Sequence, residues 1–206
     1  EYCNYPEEAR QEKVVLPSGS QTNIESIVAL APDVVIMGTM DQSQEQVDQL
    51  EKTGTKVIMT NAQNIDGVYE AIQLIGQVTG KEKEGEELIA DMKNRFARLK
   101  ERSAGKTGQK IYFEVSPLEY GLWTAGKNTF MQEITDLLGL ENIFAAVEGW
   151  AQISEEQFLR RDPQIIVTIT MYFGEGPTPV EEILSRSGWQ NVTAIKNKAV
   201  YNGDTD

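Results

Sequence analysis

The 206-residue sequence contains no histidine. Its absence removes the commonest metal ligand and the commonest general base, and with them any Ser-His-Asp or Cys-His catalysis within the chain. Cysteine is almost as scarce. The single Cys3 cannot close an internal disulfide. Its place near the N-terminus suits lipid attachment, but no apolar segment precedes it, and a small buried residue is the simpler reading. No signal peptide leads the chain, as expected of any mature or trimmed protein, so cytoplasmic residence does not follow. Nowhere does an apolar run approach the ~20 residues that span a bilayer. Basic residues are few: 19 Lys and Arg stand against 32 Asp and Glu, a net charge of −13. A field of that sign repels phosphate backbones and argues against a nucleic-acid partner.

What is present is an alternation of helix and strand patterns. Asn23 is placed to cap the apolar helix IESIVAL, Pro32 and Asp33 break it, and VVIM (34–37) reads as a buried strand. A helix over 43–52 follows, then a strand KVIM (56–59) and an amphipathic helix over 64–79. Residues 81–103 place apolar side chains at 88, 92, 96 and 99, a narrow stripe on an otherwise charged helix whose first turn Gly85 weakens. Such a helix suits a strut between two units. The reading divides the chain into an N-terminal lobe (1–80), a bridging helix (81–104) and a C-terminal lobe (105–206). The second lobe alternates in the same way, with strands at 110–115, 165–169 and 199–202. That order predicts an α/β fold with mostly parallel sheets.

An internal repeat supports two lobes. NIESIVALAPDVVIM (23–37) aligns without a gap on SEEQFLRRDPQIIVT (154–168), matching Asn23 to Ser154, Glu25 to Glu156, Ile27 to Phe158 and Pro32 to Pro163. Each copy is a capped helix, a proline turn and a buried strand.

GLWTAGKN (121–128) matches three of the four fixed positions of a phosphate loop, G-x-x-x-x-G-K-[ST], with Asn128 in place of the hydroxyl. Five residues separate it from the preceding strand, and Thr129 comes one place late. Nucleotide-dependent chemistry at Gly121–Lys127 is therefore the disfavoured alternative. The other reading makes the loop a wall. Tyr120 and Trp123 fall beyond a strand, where open α/β sheets bind ligands. Tyr2, Tyr5, Trp150, Tyr172 and Phe173 fall at comparable positions. Taken singly, each reads best as a half-buried rim aromatic; as a group they suit a pocket for a bulky, flat, partly apolar molecule. Glu25 and Glu156 each favour a helix macrodipole. As a matched pair, one per lobe, they also offer a docking surface for basic residues.

The segments YCNYP, NIESIVALAPDVVI, FMQEITDLLGLENIFA and WAQISEEQFLRRDPQIIVT together resemble the ABC-importer substrate-binding proteins that carry vitamin B12 and ferric siderophores. The resemblance runs nearly the length of the chain. It implies two Rossmann-like lobes bridged by one rigid helix, a ligand between them, and a glutamate on each lobe docking against permease arginines. The matching glutamates are Glu25 and Glu156, with Glu155 the weaker match. The vitamin B12 branch is nearest in pattern: its Y-x-x-Y-P matches Tyr2, Tyr5 and Pro6, and its W-x-Q-[VI]-S matches Trp150, Gln152 and Ser154. An aromatic common before the N-[LI]-E motif is replaced here by PSGSQT. Haem carriers of this class use a tyrosine or histidine on iron, for which Tyr120 or Tyr172 is available. The aromatic loops contain no arginine of the kind that pocket sites for acidic siderophores use.

The resemblance implies a non-enzymatic, extracytoplasmic carrier with no resident cofactor or metal. Its cargo is a corrinoid or ferric chelate, with haem as the alternative, and its partner is an ABC permease. Membrane association comes through that permease or a lipid anchor. Relative to the family pattern, the first N-terminal elements and the last C-terminal helix are expected to be missing, leaving one sheet edge exposed.

Overall fold

A computed structural model describes residues 7–17, 22–39, 43–105, 108–170, 172 and 176–203. They form two compact units, one running through Ala62 and including Asp66–Ile75, the other comprising Gln63–Ile65 and the chain from Gly76 onward.

The first unit contains α1 (Glu7–Glu12), α2 (Ile24–Ala29), β1 (Val35–Gly38), α3 (Ser43–Lys52), β2 (Val57–Thr60) and most of α4 (Ile65–Thr79). β1 and β2 pair in parallel, Val35 opposite Val57 through Gly38 opposite Thr60. The core of α3 is Val47 and Leu50, three residues apart on one helical face and both buried.

The second unit opens with the end of α4 and with α5 (Glu82–Ser103). Gly76 lets these two helices meet: a Cβ there would lie 3.1 Å from the Lys81 carbonyl oxygen. Gly85, in the first turn of α5, is buried, and the half-buried apolar positions along this helix are Ile89, Met92 and Phe96. The inward stripe is thus rotated from the expected one. Leu88 and Leu99, its two ends by apolar spacing, are 50% and 41% exposed.

The central sheet takes β3 (Lys110–Glu114), β5 (Glu141–Asn142), β7 (Ile165–Thr168) and β8 (Val200–Asn202) in the order β5-β3-β7-β8. All its pairs are parallel. Both faces are covered, so β3 reads as an unbroken apolar run rather than an alternation. Ile111 and Phe113 pack with Met131 of α6 (Phe130–Leu138) on one face. Tyr112 packs on the other with Phe158 of α7 (Glu155–Arg161), Ile183 of α8 (Pro179–Ser185) and Ala194 of α9 (Thr193–Lys196). The heart of this second face is aromatic. Phe158 stacks on Trp189 with ring centres 4.0 Å apart, and Tyr112 meets Phe158 edge-on at 4.8 Å. A short antiparallel pair, β4 (Trp123–Ala125) with β6 (Trp150–Gln152), lies outside the main sheet.

The sequence repeat is a structural repeat. Asn23 and Ser154 cap α2 and α7, each side chain accepting from the backbone N–H three residues on. The matched residues Ala31 and Asp162 both adopt left-handed backbone, φ 47° and 44°. Each precedes its proline and turns the chain from helix to strand. A non-glycine residue in that region is strained, so its recurrence at the same place in both copies marks one shared turn. The capping box of α7 is complete, with Gln157 returning a bond to the Ser154 N–H.

Candidate functional site

The C-terminal ends of β3 and β7 bring Glu114 and Thr168 side by side. Above them lies a concavity of about 450 Å³, lined by Glu114, Pro117, Leu118, Glu119, Tyr120, Thr170, Tyr172, Pro177, Pro179 and Glu182. Its position is the one at which open α/β sheets bind ligands. Tyr120 ends a 3₁₀ turn (Leu118–Tyr120) and is 66% exposed; Tyr172 is 45% exposed, its hydroxyl donating to the Gly176 carbonyl at 3.0 Å. A second concavity, of about 600 Å³, adjoins the first at Leu118 and Glu182 and is lined also by Gly121, Gln152, Glu155, Ser185, Arg186 and Ser187.

Trp123 and Trp150, expected in loops, lie on the paired strands β4 and β6. The register sets Trp123 opposite Gln152 and Ala125 opposite Trp150. Directly opposed residues share a face, so both indoles stand on one side of this ribbon as diagonal neighbours. Trp150 also leans on Phe130, ring centres 5.8 Å apart, and the Trp123 indole N–H donates to the Tyr120 carbonyl at 3.0 Å. Gly121, at φ 87°, admits the Gln152 side chain: a Cβ there would lie 2.2 Å from Gln152 Nε2. The structure therefore gathers Tyr120 and Tyr172 into one concavity, ties Trp123 to the backbone of Tyr120, and sets Trp150 on the adjoining ribbon. Tyr2, Tyr5 and Phe173 lie outside the described residues, as does Cys3.

The resemblance to a phosphate loop dissolves in the same region. The Gly126 N–H donates to the Gly149 carbonyl and the Lys127 N–H to the Val147 carbonyl, both at 2.8 Å. Lys127 Nζ lies 2.7 Å from Glu148, and Asn128 donates to the same carboxylate; together they hold the Glu148 carboxyl below its ordinary range. Thr129 is buried as the N-cap of α6. The amides and the lysine that would cradle phosphate are already engaged.

Sequence reading missed the most elaborate polar group of the site. Arg186 is buried and forms a fork to Glu114, Nη1 and Nη2 each 2.9 Å from a carboxylate oxygen. Its Nε donates to Glu182 Oε1 at 3.0 Å, and Nη2 donates to Glu182 Oε2 as well. The guanidinium lies 4.2 Å over the Trp189 ring, whose N–H donates to Glu155 at 2.6 Å. Burial pushes the Glu114 carboxyl upward, and the bonds from Arg186 oppose that shift. The available signal was an acid in the buried strand KIYFEV: a charge in such a position needs a partner.

Glu25 and Glu156 are both exposed in the first turn of their helices. Glu156 pairs with Arg160 at 2.6 Å, both side chains at least 76% exposed. Glu155, by contrast, is committed to Trp189. Among the described residues no three or more His, Cys, Asp or Glu are grouped to hold a metal ion, and no helix is long and apolar enough to cross a membrane.

Comparison with known proteins gives a consistent result. The sequence profile of the family described as periplasmic binding protein matches residues 1–206. An uncharacterized ABC transporter substrate-binding lipoprotein of Bacillus subtilis is 32% identical over 98% of this chain and 63% of its own length. A vitamin B12-binding protein of Salmonella paratyphi A is 33% identical over 81% of this chain and 62% of its own. The chain thus spans less than two thirds of either relative. Among solved structures, a possible iron-binding periplasmic solute-binding protein of Staphylococcus epidermidis superposes with a TM-score of 0.71 at 28% identity, over 90% of this chain and 72% of that one. The periplasmic vitamin B12-binding protein of Vibrio cholerae shares the fold, with a TM-score of 0.77 at 22% identity over 98% of this chain and 76% of that one.

Proposed function

The chain belongs to the periplasmic binding protein family, and from that premise we propose that it is the extracytoplasmic substrate-binding component of an ABC importer. It carries a corrinoid of the cobalamin type or a ferric chelate, and performs no chemistry on it. The observation that carries this reading is the concavity bearing Tyr120 and Tyr172 at the C-terminal ends of β3 and β7. Exposed aromatics on an apolar wall lose little freedom on binding, because each has only two side-chain torsions to fix. Burial of a flat macrocycle against them supplies affinity without covalent bonds. The carboxylates of the lining suit cargo with N–H donors, and the amide-rich edge of a corrin has many. Haem is the second reading, favoured by the exposed phenol of Tyr120, an oxygen ligand suited to ferric iron.

Delivery requires a permease, and we assign its docking to Glu25 and Glu156. The Glu156–Arg160 pair does not oppose this, since exposed ion pairs contribute little and exchange readily. The test is uptake into proteoliposomes with the cognate permease. Glu25→Lys/Glu156→Lys is expected to cut uptake by at least about tenfold, because like charges facing each other across an interface cost several kcal/mol, while cargo affinity in solution stays unchanged. Undiminished uptake would place docking elsewhere. Equilibrium dialysis against cobalamin, cobinamide, haem and ferric siderophores tests the carrier reading itself, and retention of none of them would refute it.

A further inference from the structure

The two adjoining concavities are unequal in charge. Among the described residues, their linings contain four carboxylates (Glu114, Glu119, Glu155 and Glu182) and one cationic side chain, Arg186. That one cation is not available to cargo as a free charge. Both oxygens of Glu114 and both of Glu182 take hydrogen bonds from its guanidinium. One positive charge thus lies between two negative ones, and the cluster keeps an excess negative charge. Where that excess is presented follows from burial. The Glu114 side chain is 2% exposed and the Arg186 side chain 6%, whereas that of Glu182 is 36% exposed. Glu182 also lines both concavities. Arg186 fixes its orientation, so its outward lone pairs are preorganised for a donor.

We infer that Glu182 is a specificity-determining carboxylate, which selects cationic or N–H-donating cargo and rejects anionic cargo at this site. The inference rests on the carrier reading above and narrows its cargo class. A preorganised carboxylate strengthens a donor's bond in a partly enclosed site. The same carboxylate repels a propionate or catecholate edge, and repulsion of wrong ligands is as much a part of specificity as attraction of the right one. Glu119 and Glu155 add to the same field, but Glu155 already accepts the Trp189 N–H.

The test compares the whole chain with its Glu182→Gln variant by equilibrium dialysis against four probes. Aquocyanocobinamide and the ferric hydroxamate ferrioxamine B are cations; haemin and a ferric tris-catecholate are anions. Within each pair of similar iron or macrocycle chemistry, the wild type is expected to prefer the cation. Glu182→Gln should weaken the preferred cation by about tenfold, the size of one lost charge-assisted hydrogen bond, and leave anion binding equal or tighter. Merely structural damage would weaken all probes together, and that result would overturn the inference; a thermal melt of the variant shows such damage directly. If the wild type binds a probe but the charge ranking is flat or unmoved by Glu182→Gln, this inference fails and the carrier reading survives. If none of the four binds, this inference fails, and the carrier reading fails with it only if cobalamin is not retained either.

Discussion

Arg186→Met is expected to destabilise the protein by about 3–5 kcal/mol, the usual cost of removing one partner from a buried ion pair. The cost arises less from the bonds lost than from what remains. Glu114 is 2% exposed at the C-terminal end of β3, and Arg186 supplies its two charge-assisted hydrogen bonds. Without them its carboxylate is left desolvated and unpaired. The sign of the pH dependence follows. Burial raises the folded-state pKa of Glu114 above its unfolded value, and removing Arg186 removes the opposing influence. A group with a raised pKa favours the folded state when protonated and loses that contribution as pH rises through the folded pKa. The deficit of Arg186→Met should therefore shrink as pH falls toward the ordinary glutamate value of about 4.3. Adding Glu114→Leu should recover most of the lost stability at neutral pH, since an apolar replacement of both partners is often neutral. Urea unfolding of the parent and the two variants at two pH values reads all of this. An unchanged midpoint in Arg186→Met would mean that Glu114 finds another partner.

Gly126→Ala is expected to be the most damaging small substitution in the 121–128 loop. A Cβ at Gly126 would lie 2.1 Å from the Val147 carbonyl oxygen, 2.8 Å from its carbon and 2.9 Å from the Phe144 carbonyl oxygen. All three are backbone atoms, and they cannot withdraw without breaking the bonds from Lys127 N–H to Val147 and from Val147 N–H to Phe144. Overpacking of this kind costs at least the upper part of the about 1–3 kcal/mol range. At Gly121 a Cβ would meet only the movable Gln152 side chain, and the cost of a substitution there comes from the backbone, held at φ 87°. Thermal unfolding separates the two explanations of the motif. A glycine kept for phosphate would tolerate alanine in the unliganded protein; one kept for the Val147 carbonyl would not. A melting temperature equal to that of the parent would contradict the packing described here.

The parts of the fold that could be read from sequence are those fixed by local chemistry. The caps at Asn23 and Ser154, the proline turns and the strands after them are set within about four residues of each other by hydrogen bonding and backbone sterics. The same is true of Gly139, whose left-handed φ of 68° ends α6. The antiparallel ribbon was hidden because WTA and WAQ are three-residue strands, too short for a period of two to show. Their pairing is set by tertiary contacts such as the Val115 N–H bond to the Trp123 carbonyl. The Glu114–Arg186 fork was hidden for a different reason: its partners are 72 residues apart, and nothing local to SRSGW indicates where its arginine goes. That Tyr120 and Tyr172 line one concavity was legible because both follow central strands of the sheet.

The most direct test of the central claim is a tryptophan-fluorescence titration with cobinamide and cobalamin, corrected for inner-filter absorption, on the parent chain and on Tyr120→Ala/Tyr172→Ala. The parent should show saturable quenching. The double variant should bind at least about tenfold more weakly, since two exposed aromatic contacts are lost from the ligand face, while its unfolding midpoint is unchanged because both side chains are solvent-exposed. Equal dissociation constants for parent and variant would contradict the claim and remove the Tyr120–Tyr172 concavity from the cargo site.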